Sequence, residues 1–156
     1  MAKQKINVLQ STVSNASLDT TAGNIGGAWL TWTPSFTNIS GGTITVAKYT
    51  LIGKTCHFIM KYTMAGAGVA GNASFTLPVT AHADFVAGTI LGTTRLDDNG
   101  TGTKYGMLVV KSNADCFLYV YNVAGTYLDI GALSSTVPHT WAVNDSITCN
   151  GTYEIA

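Results

Sequence analysis

The chain has 156 residues, eight basic and eight acidic, for a formal net charge of zero; only 10% are charged, against about 25% in an ordinary globular domain, while 46% are hydrophobic. This excludes a disordered chain, which would be apolar-poor and charge-rich, and it leaves no basic excess for neutralising nucleic-acid phosphates. No apolar run nears the roughly 18 residues of a membrane-spanning helix, and Met1-Ala2-Lys3-Gln4-Lys5 leads into no signal-peptide core, so neither nucleic acid nor membrane is expected as a partner.

Residues 1–27 read as an N-terminal arm ahead of a single domain at 28–156. Within the arm, Lys5 to Val13 has the pattern of one strand, with Lys3, Lys5, Ile6, Val8 and Leu9 as candidate docking side chains. Ser14 to Gly27 is small, polar and glycine-containing, as a linker would be. Beyond it no stretch reads as a helix, because Gly, Thr and Val recur in most windows and weaken one. Period-two alternation is common instead.

Gly41-Gly42 precedes a strand from Thr43 to Thr50, and Ile52-Gly53-Lys54 turns the chain into the next. There Cys56, Phe58, Met60, Tyr62 and Met64 alternate with His57, Ile59, Lys61 and Thr63, giving one core face and one mostly polar face. Ala65 to Asn72 reads as a glycine-rich loop. Asp97-Asp98-Asn99-Gly100 ends a Phe85 to Thr94 segment, and Ser112-Asn113-Ala114-Asp115 joins Lys104–Lys111 to Cys116–Asn122 as a hairpin. In that last run Phe117, Tyr119 and Tyr121 alternate with Leu118 and Val120, so both sides are apolar. Such a strand is covered on both faces, by a second sheet or by another subunit. Asn144-Asp145 and Asn150-Gly151 bracket Ser146 to Cys149. Eight or so short strands at close spacing predict an all-β, antiparallel sandwich or jelly-roll-like domain. Its near-neutral surface carries little repulsion between copies, which favours association.

The residues that carry chemistry are few. Cys56, Cys116 and Cys149 show no CxxC spacing and sit in apolar runs, so they read as buried free thiols, with a single bridge between two of them left open. A reducing compartment during synthesis follows. His57, His82 and His139 lie far apart without ligand spacing and read as structural or solvated. Ser134-Ser135 lacks a Gly-x-Ser-x-Gly elbow, and Asp97-Asp98-Asn99-Gly100 lacks the glutamate of an EF-hand loop. No carboxylate pair or phosphate loop is visible, so the expectation is no enzyme, no cofactor and no metal site. Asn-x-Ser/Thr triplets at Asn38, Asn72 and Asn150 arise from composition. Trp29, Trp32 and Trp141 are candidate saccharide contacts, weighed against a structural role in which they pack together where the chain ends meet.

Several segments resemble a β domain that recurs in tailed-phage virion proteins. Ala28-Trp29-Leu30-Thr31-Trp32-Thr33-Pro34-Ser35-Phe36 is similar to its opening, and Tyr49-Thr50-Leu51-Ile52-Gly53-Lys54-Thr55-Cys56-His57-Phe58 to its next segment. Phe75-Thr76-Leu77-Pro78-Val79, Pro138-His139-Thr140-Trp141-Ala142-Val143-Asn144-Asp145 and Gly151-Thr152-Tyr153-Glu154 resemble its later ones. The resemblance implies a trimeric jelly-roll-like domain, found at tail-fibre or receptor-binding tips and on head surfaces, without catalytic residues. Residues 1–27 hold neither coiled-coil heptads nor a collagen-like repeat with which to reach outward. The expectation is therefore a homotrimeric capsid decoration protein on the virion surface, made in the host cytoplasm and docked by its arm on the major capsid protein or another virion protein. A fibre tip binding a host surface glycan, through loops such as Ala65–Asn72 and Asp97–Gly102, is the alternative.

Overall fold

The computed structural model describes residues 27–123 and 125–156. Lys3, Lys5, Ile6, Val8 and Leu9, and the strand expected over Lys5 to Val13, lie outside the described residues. The described chain is all-β: β1 (Leu30–Thr31), β2 (Phe36–Ile39), β3 (Gly42–Ile52), β4 (Thr55–Ala65), β5 (Val69–Thr76), β6 (Ile90–Asp98), β7 (Gly102–Ser112), β8 (Asp115–Asn122), β9 (Asp129–Ala132) and β10 (Val143–Glu154). Every pairing is antiparallel, in the order β1-β3-β4-β10-β6-β7-β8-β5-β2, with β9 beside β8. The sheet curls so that β3, β4 and β10 face β5, β7 and β8 across one core, consistent with a sandwich or jelly-roll-like fold.

The alternation in β4 sets the core. Cys56, Phe58, Met60, Tyr62 and Met64 are all buried, while the residues between them point outward. Gly53, with φ 60°, takes the left-handed backbone that the tight turn between β3 and β4 demands, and only two residues separate the paired Ile52 and Thr55. Phe58 is the aromatic hub. Its ring meets Trp32 at 5.9 Å, Phe75 at 6.3 Å and Tyr153 at 6.1 Å, joining residues from both halves of the curled sheet. Phe36 sits 4.8 Å from Tyr62 and 6.2 Å from Phe75.

The segment from Trp32 to Ser35 clasps the two ends of the sheet together. Trp32 N donates to Ala47 O on β3, while Ser35 O accepts from Thr76 N on β5 and Ser35 N donates to Thr76 Oγ1. The indole Nε1 of Trp32 also reaches Thr76 O at 3.4 Å. Terminal strands that would be open edges are thereby brought together.

Local turn chemistry misplaces several boundaries. The described residues hold ten strands where the sequence predicts eight or so short ones, and four of them run to 11 or 12 residues. Within the expected loop Ala65–Asn72, β5 begins at Val69, because pairing of Ile39 with Val69 and burial of Val69, Ala73 and Phe75 outweigh the preference of Gly71-Asn72 for a turn. Asn72 keeps its positive φ of 58° inside that strand, and Asn38 on β2 has φ 60°, where the register of the pair shifts. Residues 85–89 form turns, with Gly88 N bonded to Val110 O, so β6 starts only at Ile90 and runs through Asp97-Asp98. Asn150-Gly151 is no turn either: both lie within β10, where Gly151 leaves room for the ring of Phe58.

Candidate functional site: an aromatic outer face

Inward residues of β7 and β8, Gly106, Leu108, Cys116, Leu118 and Val120, are buried. Their neighbours must then face outward, and the register arranges them in rows. Arg95 lies opposite Tyr105, and Tyr121 opposite Ile130. Pairing of Gly106 with Val120 sets Tyr105 beside Tyr121, so one row runs Arg95, Tyr105, Tyr121, Ile130. The next runs Thr93, Met107, Tyr119, Ala132, and a third holds Ile90, Val109 and Phe117. Phe117 and Tyr119 meet edge to face at 6.0 Å, and Lys111 Nζ stands 5.5 Å over the Phe117 ring. At the end of the β8–β9 hairpin, Val123, Tyr127 and Leu128 are exposed, Tyr127 by 85%.

The outer face of β3, β4 and β10 has different chemistry. Thr43 and Lys48 on β3, His57, Lys61 and Thr63 on β4, and Thr148, Asn150 and Thr152 on β10 populate it, with Thr50 buried beneath Gly27 and with Val46, Ile52 and Ile59 as apolar members. His57 Nδ1 lies 2.9 Å from Thr152 Oγ1, and Thr93 Oγ1 donates to Asn150 Oδ1 at 2.9 Å. The outer face of β3, β4 and β10 is thus mostly hydroxyl and amide, broken by Val46, Ile52 and Ile59, and passes through the Asn150–Thr93 pair into the aromatic and aliphatic strip.

The tryptophans do not form a platform. Trp29 is 56% exposed beside β1, Trp32 is half-buried against Tyr49 and Phe58, and Trp141 is only 2% exposed. Among the described residues no ring contact joins any two of them, so the expected mutual packing does not occur. Trp141 instead meets the tilted ring of His139 at 4.5 Å and donates from Nε1 to Ser134 O at 2.9 Å. Burial closes its faces to a sugar ring. A shallow groove bordered by Asn38, Ser40, Gly68, Ala70 and Ser135 is lined by none of the three.

Asp145, 1% exposed on its side chain, anchors the loops at the start of β10. Its Oδ1 accepts from Asn99 N at 2.9 Å, in the turn between β6 and β7, and its Oδ2 from Ala142 N at 2.7 Å. His139 Nε2 stands 3.5 Å from Oδ2, and neither of its ring nitrogens has a hydrogen-bond partner. Ser134 Oγ accepts from Thr136 N, and among the described residues no hydroxyl bonds either ring nitrogen of His139. Asp97 holds Arg95 at 2.8 Å, Thr103 Oγ1 at 2.7 Å and Ser146 Oγ at 3.2 Å, which ties its carboxylate into β-strand contacts. Among the described residues no three His, Cys, Asp or Glu side chains converge as metal ligands would.

All three cysteines are free and buried. Burial pushes Cys149 up to about 12, and Cys116 well up, with Cys149 and Asp115 adding to it. Cys56 is raised by burial, against a hydrogen bond with Tyr153. These thiols stay protonated in the fold while an unfolded chain releases protons near pH 9. The stabilisation is therefore complete below about pH 9 and lost as pH rises towards about 12. Urea midpoints should fall across that window, and Cys149→Ala should flatten the decline. A thiol reagent should label none of the three until the protein unfolds.

Sequence reasoning singled out Phe117, Tyr119 and Tyr121 but missed Tyr127, Leu128 and Ile130. The available signal was charge: from Tyr119 to Pro138 the sequence has no Lys, Arg or Glu and only one Asp, Asp129. Comparison with family models, with curated proteins and with solved structures finds no match.

Proposed function

We propose that this chain is a non-enzymatic structural protein of a bacteriophage virion surface: a trimeric capsid decoration protein, docked through its N-terminal arm on the major capsid protein or another virion protein. The observation that carries this reading is the split between two parts of the outer face of the domain, one mostly polar and one aromatic. A neutral domain built this way turns its hydroxyl lattice to solvent and its apolar strip to neighbours on a shell. The motifs from Ala28 to Phe36 and from Pro138 to Asp145, which resemble those of tailed-phage virion domains, support the same assignment. Three arms, each binding weakly, would lengthen residence through effective concentration.

A second reading, a saccharide-binding fibre tip, draws on the exposed Trp29 and on the polar rim of the groove at Asn38, Ser40 and Ser135. Immunogold labelling of intact particles with an antibody against this chain tests both. Label spread over heads is the expected result. Label confined to the tail end favours the fibre tip, and particles without label overturn both readings.

A further inference from the structure

We propose that the strip formed by Tyr105, Tyr121 and Ile130, with Val123, Tyr127 and Leu128 at the hairpin end, is where a second copy of this chain packs. The inference rests on the structural reading above and names the surface that reading leaves open. Three observations select the occupant.

The first is area. These six side chains expose on the order of 700 Å², close to what one partner contributes to a standard protein–protein interface. That is more than a single sugar ring would cover.

The second is charge. The strip holds no carboxylate, since Asp129 lies opposite Asn122 on the other face of the β8–β9 pair, and at its far end stands Arg95, whose guanidinium is already held by Asp97 at 2.8 Å. It offers nothing to recruit a strongly charged partner. A second copy of a chain with zero net charge approaches without repulsion.

The third is the edge. Among the described residues β9 pairs only with β8. Asp129 Oδ1 accepts from Ile130 N at 2.7 Å, which takes up one donor that strand addition would need. Contact through side chains is favoured over extension of the sheet. Tyrosines with two side-chain torsions suit that role, because they lose little freedom when they are covered.

The test is sedimentation of the full-length protein over a dilution series, comparing wild type with Tyr127→Asp/Leu128→Asp. Both positions are exposed, so the variant should keep the wild-type circular dichroism and melting temperature. Tyr105→Lys, on the same strip, is a second probe should the first disturb folding. Ile59→Asp, on the polar outer face of β4, is the control. Wild type and control are expected to associate alike, with self-association at least about 100-fold weaker in the strip variants. If the strip variants associate as wild type does, this surface is not the interface, while the oligomeric reading survives. If wild type is monomeric at every concentration, whether residues 1–26 or a different protein covers the strip, the inference fails and the trimer fails with it.

Discussion

Replacing Asp145 with alanine is expected to lower the free energy of unfolding by about 3–5 kcal/mol, measured by urea denaturation. The backbone N–H groups of Asn99 and Ala142 both end on this buried carboxylate. Removing it takes away two part-buried hydrogen bonds to a charged acceptor, each worth about 1.5–3 kcal/mol. Asp145→Asn keeps one oxygen and sets an amide donor against the other N–H, so about half of the loss should remain. The losses are not confined to one loop, because Asn99 opens the turn from β6 to β7 while Ala142 leads into β10. A loss below about 1 kcal/mol for the alanine variant would show that neither bond matters to the fold.

Phe58→Ala should cost about 3–5 kcal/mol, since it opens a cavity at the meeting point of Trp32, Phe75 and Tyr153. Gly151 provides a sharper probe of the same contact. A methyl group at Gly151 would stand 2.6 Å from the Phe58 ring and 3.1 Å from Leu91 O. Gly151→Ala alone should therefore destabilise by about 1–3 kcal/mol through overpacking. In the Phe58→Ala background the ring is gone and only the Leu91 carbonyl resists, so the added cost should shrink. A coupling energy of about 1–2 kcal/mol from the four proteins of the cycle is expected. Strict additivity would mean that Gly151 is required by its backbone and not by the ring above it.

The parts of the fold legible in the sequence are those whose partners lie next door. In β4 the period-two pattern from Cys56 to Met64 marks one face as core, and Gly53 marks the turn before it; both are local signals. The β7–β8 hairpin is legible for the same reason, with Ser112 Oγ bonded to Asp115 Oδ2 across Asn113-Ala114. β5 is not, because Gly71-Asn72 carries turn chemistry and becomes strand only when β2, some thirty residues earlier, pairs with it. Asn150-Gly151 misleads in the same way: β10 lies between β4 and β6, and two neighbours hold it extended through a turn signal. The candidate site divides along the same line. Phe117, Tyr119 and Tyr121 declare a two-sided apolar strand, whereas Ile130 joins them only through the four-residue β9. The burial of Trp141 depends on His139 and Ser134 folding over it, which no alternation announces.

The clasp from Trp32 to Ser35 determines how the domain would bear a mechanical load. Tension applied ahead of Gly27 would meet first the bond from Thr50 Oγ1 to Gly27 O and then the two residues of β1 on β3, a seam that opens one rung at a time. Behind it the Trp32 indole is wedged against Tyr49 and Phe58, and Ser35 is held to Thr76 on the far end of the sheet. Further extension must pull the half-buried Trp32 ring off Tyr49 and Phe58 and also break the attachment of Ser35 to Thr76. The domain thus has a yielding lead followed by a firm stop, so a tether could stretch without unravelling what it holds.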